Sequence, residues 1–147
     1  MITELHNQDL FKMPQGYYLA HCISADFALG AGIAKQFDDI YNMRQKLNAF
    51  YNIHSGEKYD ECNVGTALLV DNVFNLVTKG RCFHKPHYEA LRESLEDMRD
   101  QCDELMITKV AMPQIGCGLD RLEWDKVKEL LYDIFDNSDI DITVCIL

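Results

Sequence analysis

The 147 residues are most simply one domain, residues 1–147, and their 48% hydrophobic and 26% charged content excludes a disordered segment. A formal net charge of −10 argues against broad electrostatic binding to nucleic acid, but leaves room for a small anion held by backbone N–H groups. No apolar run approaches the roughly 20 residues that cross a bilayer, and Met1 to His6 carry no basic region leading into an apolar stretch, so a cytoplasmic monomer with no membrane partner is expected.

In chain order, Tyr17 to Ile23 reads as a strand, with His21 a base or an ordinary polar anchor, the anchor being favoured. Leu29-Gly30-Ala31-Gly32-Ile33-Ala34 follows, a glycine-bearing loop that opens a helix. Small residues there admit a ligand close to the backbone, and the helix turns its free N–H groups and positive dipole end toward it. The same loop is equally readable as a tight turn with close packing. Lys35 stands where the third glycine of a dinucleotide fingerprint belongs, which excludes that motif. Ile33, Phe37, Ile40, Leu47 and Phe50 fall on one helical face. Residues 52–63, with Ser55-Gly56 and several charges, read as an exposed connection.

Thr66 to Val70 and Val73 to Thr78 are two strands separated by Asp71-Asn72, a hairpin signal. Lys79 ends the second and precedes Gly80. It is either a solvated surface charge or a desolvated amine at a strand end, poised to attack a carbonyl-like carbon. Cys82, His84 and His87 are the only group resembling metal ligands, and no second cluster completes a site, so no metal or cofactor is expected. The six cysteines, Cys22, Cys62, Cys82, Cys102, Cys117 and Cys145, are irregularly spaced and read as reduced, mostly as small hydrophobes.

Pro86 suits a first helical turn, and Tyr88, Leu91, Leu95, Met98 and Cys102 step by three and four behind it. Ile107 to Met112 is the next strand. The loop after it, Pro113-Gln114-Ile115-Gly116-Cys117-Gly118-Leu119-Asp120, offers a second anion site. Asp120 with Glu123 forms an Asp-x-x-Glu arrangement that would cap a helix beginning near Arg121, a role compatible with proton transfer. Trp124, Val127, Leu130, Leu131 and Ile134 mark that helix, and Ile140 to Ile146 a final strand. The alternation predicts an α/β three-layer sandwich around a mixed, largely parallel sheet. Two glycine loops converging beyond the strands' carboxyl ends suit a diphosphate.

Ala20-His21-Cys22-Ile23-Ser24, Gly30 to Ala34, Thr78-Lys79, His84-Lys85-Pro86 and Met112 to Leu122 resemble, in order, the macrodomains that hydrolyse ADP-ribosyl linkages, of the terminal ADP-ribose glycohydrolase and O-acetyl-ADP-ribose deacetylase type. The resemblance runs from about Asp9 to Leu147. It implies a macrodomain fold with ADP-ribose in a cleft. Asp9 and Leu10 would contact the adenine side, with Ser24 nearby and Leu147 lining the same region. Gly30, Ala31, Gly32, Ile33 and Ala34 would border the distal ribose and phosphates. Gln114, Ile115, Gly116, Cys117, Gly118, Leu119 and Asp120 would wrap the diphosphate and distal ribose. The implied catalysis is metal-free: Lys79 attacks the anomeric carbon and Asp120 manages protons and resolves the adduct. Implied substrates are ADP-ribosyl esters on glutamate, O-acetyl-ADP-ribose and, for antitoxin-like relatives, ADP-ribosylated DNA.

Three positions depart from the pattern: Gln8 for a glycine, Gln114 for an arginine and Cys145 for an aromatic residue. They bear on adenine packing and substrate preference more than on the reaction. A non-catalytic reader of ADP-ribose is the competing class, and retention of both Lys79 and Asp120 counts against it. A DNA-directed glycohydrolase is the third, disfavoured by the acidic charge.

Overall fold

The computed structural model describes residues 1–51, 63–82, 84, 86–118 and 120–147. The exposed connection expected over residues 52–63 therefore lies almost entirely outside the described residues, as do Cys62, Lys85 and Leu119. The elements run β1 (Ile2–His6), β2 (Tyr18–Ser24), α1 (Gly32–Tyr41), α2 (Met43–Tyr51), β3 (Ala67–Val70), β4 (Val73–Lys79), α3 (Tyr88–Leu105), β5 (Lys109–Met112), α4 (Trp124–Phe135) and β6 (Asp141–Ile146).

Among the described residues the strands form one six-stranded sheet in the order β1-β6-β5-β2-β4-β3. Every pairing is parallel except the β3–β4 hairpin, whose turn places Asp71 at φ 53°. The α/β class and the mixed sheet are thus as expected. Two apolar layers cover it. Leu91, Leu95 and Met98 of α3 meet Val127, Leu131 and Phe135 of α4 on one face. Phe37 of α1, with Met43 and Leu47 of α2, covers the other. Layers on both faces of the sheet explain the continuous buried runs of β4 and β6.

Two sequence expectations give way here. The helix read as continuous through Ile33 and Phe50 breaks at Asn42, which adopts the left-handed conformation at φ 55°. Its N–H donates to the Asp38 carbonyl, while the Asp38 carboxylate accepts from the Arg44 N–H to start α2. Asparagine tolerates that conformation better than most residues. Ile40 (55% exposed) and Phe50 (64%) face solvent, and Met43 at the start of α2 is in the core. Pro86 also lies before the N-cap residue His87 rather than in the first turn of α3.

Strand β1 has no counterpart among the strands expected from sequence. Its five residues pair in parallel with β6, with Ile2 opposite Ile142 and Ile146 opposite His6. As an edge strand it buries little, and its partner comes from the far end of the chain, so no local pattern announced it. Glu4 secures it by accepting hydrogen bonds from Trp124 Nε1 at 3.0 Å and Lys128 Nζ at 3.2 Å.

Adjacency of β4, β2 and β5, all parallel, brings three carboxyl-terminal ends together. The loops that follow them must share one end of the sheet.

Candidate active site

A cleft of about 980 Å³ opens at that end. Ser24, Gly30, Ala31, Gly32, Ile33 and Ala34 line one side, and Gln114, Ile115, Gly116, Gly118 and Asp120 another, with Lys79 between them. Of the remaining residues carried over from the resemblance, Leu119 lies outside the described residues, and Asp9, Leu10, Cys117 and Leu147 do not line the cleft. Asp9 instead caps a short 3-10 turn over Leu10–Lys12, its carboxylate accepting from the Phe11 N–H at 3.0 Å. Leu10 is buried in the core behind α1, and Cys117 packs against the opposite core. Leu147 is 89% exposed.

The two glycine loops differ physically. At Gly116 a β-carbon would sit 2.8 Å from Leu122 Cδ1, and φ is +74°, so the backbone turn itself demands glycine. At Gly118 a β-carbon would meet nothing within 4 Å, and at Gly30 nothing closer than the Ala28 carbonyl oxygen at 3.9 Å. Close packing therefore explains Gly116 but neither Gly118 nor Gly30, whose missing side chains widen the cleft. Behind Gly30, α1 begins with Ala31 at the N-cap and no side-chain cap, which leaves its first N–H groups for an anion.

Lys79 reaches its position through an irregularity. Pairing between β2 and β4 slips by one between Ile23 and Ser24, so that Ser24 sits opposite Lys79 rather than Thr78. Such bulges re-aim side chains. Its Nζ donates to Asp120 Oδ1 at 2.6 Å and to the Cys82 carbonyl at 3.0 Å. The two side chains are only 13% and 20% exposed, so solvent screens this pair less than a surface one. The reading of Lys79 as a solvated charge does not survive.

Asp120 is not a helix cap. Helix α4 starts later, at Trp124, with Glu123 at its N-cap and no side-chain cap bond. Arg121 at φ 61° cannot belong to a right-handed helix, and the Leu122 N–H closes a turn onto the Gly116 carbonyl at 2.7 Å. That turn frees the Asp120 carboxylate to face Lys79.

Among the described residues no group of three His, Cys, Asp or Glu side chains is placed to hold a metal ion. Burial, followed by the charge of Asp120, pushes the Cys22 thiol up to about 12, and burial pushes Cys117 up to about 11. The cleft also recruits residues that sequence reading left out, including Cys22, Tyr88, Leu122, Glu123 and Lys126. Tyr88 read as a core position of α3, yet its hydroxyl accepts from the Glu123 N–H at 2.9 Å and joins α3 to the cleft wall.

The Macro domain family matches residues 20–131. The chain belongs to the macrodomain family. This macrodomain is 43% identical over 138 residues to "ADP-ribose glycohydrolase OARD1" of Bos taurus, covering 92% of this chain and 86% of that protein. The Homo sapiens protein of the same name is 42% identical with the same coverage. The macrodomain of Mycobacterium tuberculosis DarG superposes with a TM-score of 0.79, covering 100% of this chain and 98% of that one, at 22% identity. That last likeness is one of fold.

His21, beside the site in sequence, serves the macrodomain's core. It is fully buried, stacked on Phe37 with ring centroids 3.9 Å apart, and its Nε2 donates to Asn75 Oδ1 at 2.6 Å. Burial lowers its pKa from 6.5 to about 4. The unfolded chain therefore takes up a proton that the folded one refuses. Stability is complete above pH 6.5 and is lost as pH falls toward 4, by up to roughly 3 kcal/mol. Urea midpoints measured from pH 7 to 4.5 should fall in the wild type and flatten in His21→Gln. Equal slopes in both proteins would count against this account.

Proposed function

We propose that this macrodomain binds ADP-ribose and hydrolyses mono-ADP-ribosyl esters of glutamate and O-acetyl-ADP-ribose, with Lys79 as nucleophile and Asp120 as proton carrier. One observation carries the reading: an amine and a carboxylate 2.6 Å apart, from different strands' ends, inside a cleft bordered by two glycine loops. The names of the OARD1 relatives point to the same activity.

In the resting pair the ammonium donates to the carboxylate, and a protonated amine has no lone pair for attack. Asp120 takes that proton. The Lys79 lone pair then forms a C–N bond to the anomeric carbon of the distal ribose while the C–O bond breaks, and the acyl group leaves as a carboxylate. The departing carboxylate takes up the proton held by Asp120; water then gives a proton to Asp120 as it displaces the amine and frees ADP-ribose, and Asp120 returns that proton to Lys79. The diphosphate would rest between the start of α1 and the Gln114–Gly118 loop, where N–H donors and the helix dipole supply the positive field that a net charge of −10 does not. No metal or organic cofactor enters these steps.

Turnover should be measured side by side on an ADP-ribosyl-glutamate peptide, O-acetyl-ADP-ribose and an ADP-ribosylated oligonucleotide. Release of ADP-ribose from the first two is expected. Binding of ADP-ribose without release from any of the three would make the protein a reader, and release from the oligonucleotide alone would assign it to DNA.

A further inference from the structure

We infer that Asp26 is a positioning residue for the reaction: its carboxylate ties down the strap that follows β4, and through the Cys82 carbonyl fixes where the Lys79 amine points. The inference rests on the lysine chemistry proposed above.

Asp26 is not among the residues that line the cleft. Its contacts run between two loops instead. Oδ2 accepts from the Cys82 N–H at 3.0 Å, and Oδ1 accepts from the Ser24 hydroxyl at 2.5 Å and the Ala28 N–H at 3.2 Å. Its own N–H donates to the Gly80 carbonyl at 3.1 Å, beside the bond from the Ala25 N–H to the Lys79 carbonyl at 2.9 Å. Burial alone would raise this carboxyl's pKa, but the donors from Ser24, Cys82 and Ala28 together hold it below its ordinary value. It is therefore a fixed anion at neutral pH.

The consequence falls on Lys79. Residues 79–82 fold back so that the Cys82 carbonyl accepts from Nζ at 3.0 Å, while Asp120 accepts at 2.6 Å. Once Asp120 has taken its proton, the Cys82 carbonyl is the other acceptor in contact with the neutral amine among the described residues. It then sets the amine's rotation and so the direction of its lone pair. A lysine has four side-chain torsions, and an attacking atom displaced by about 1 Å loses rate on the order of a hundredfold. Binding of ADP-ribose does not depend on that alignment, whereas bond formation does. Asp26 also occupies the Ser24 proton, so the Ser24 oxygen faces the cleft as an acceptor.

Asp26→Asn tests the assignment with little change of shape. If the amide oxygen keeps Ser24 and Ala28, its NH2 confronts the Cys82 N–H and the strap is released. With ester substrate, kcat should fall about tenfold to a hundredfold, while KM and the Kd for ADP-ribose stay within about threefold and Asp26→Glu recovers part of the loss. An unchanged kcat overturns the inference, and so do kcat and Kd worsening in equal proportion, which would mean collapse of the pocket. Should Asp26→Asn fail to fold, the wild-type protein still decides: the Cys82 amide must be protected from hydrogen exchange by NMR, and free exchange there rules the strap out. Lys79→Ala runs alongside. If it keeps turnover, the lysine chemistry fails irrespective of Asp26; if it is inactive and Asp26→Asn is not impaired, only the positioning role fails.

Discussion

Lys79→Ala is expected to lower kcat on ADP-ribosyl-glutamate ester by at least about a thousandfold, the scale on which loss of a nucleophile is felt. Binding should largely persist, with a Kd for ADP-ribose within a few fold of wild type by calorimetry. The contrast is expected because, under the proposed function, backbone N–H groups hold the diphosphate while Lys79 acts only on the anomeric carbon. Denaturing mass spectrometry during wild-type turnover should reveal an ADP-ribosyl adduct on the peptide containing Lys79 and none in the variant. Wild-type rates in Lys79→Ala would end the covalent reading.

Asp120→Asn should cost about a hundredfold to ten-thousandfold in kcat, the range of a lost general base. An amide neither takes the proton from Nζ nor activates water for the second half of the reaction. The substitution also strands the Lys79 ammonium, at 13% exposure, without its anion, so a loss of about 1 kcal/mol in stability is expected. Removing both partners together, as Lys79→Met with Asp120→Leu, should restore that stability without restoring turnover. Recovery of this kind would mark the pair as kept for chemistry rather than folding. A double variant less stable than Asp120→Asn would argue that the ion pair is chiefly structural.

Much of the architecture was readable from periodicity. The steps of Leu91, Leu95, Met98 and Cys102, and of Val127, Leu131 and Ile134, all end in buried positions, because an amphipathic helix has one face to hide. The Asp71-Asn72 hairpin was also local chemistry. Local reading failed where distant partners decided the outcome. Strand β1 exists only because β6 offers it an edge. Asp120 looked like a cap until the left-handed Arg121 postponed α4. Asp26 carried no signal at all, since its significance is a contact with Cys82 across 56 positions of chain. Asp9, Leu10 and Leu147, assigned through resemblance alone, are not among the residues that line the cleft.

The order of residue types was enough to establish an α/β sandwich, two glycine loops that follow strands, and a short roster of candidate reacting groups. Hydrophobic periodicity and backbone permissiveness are properties of neighbouring residues, which is why they can be read along the chain. The meeting of Lys79 with Asp120 belongs to another level. It required β4 beside β2 and β2 beside β5, a one-residue slip at Ser24, and a turn closed by Gly116 and Leu122. Each of these is a long-range pairing or a steric fit between segments far apart in sequence, so only the folded chain could bring amine and carboxylate to a separation of 2.6 Å.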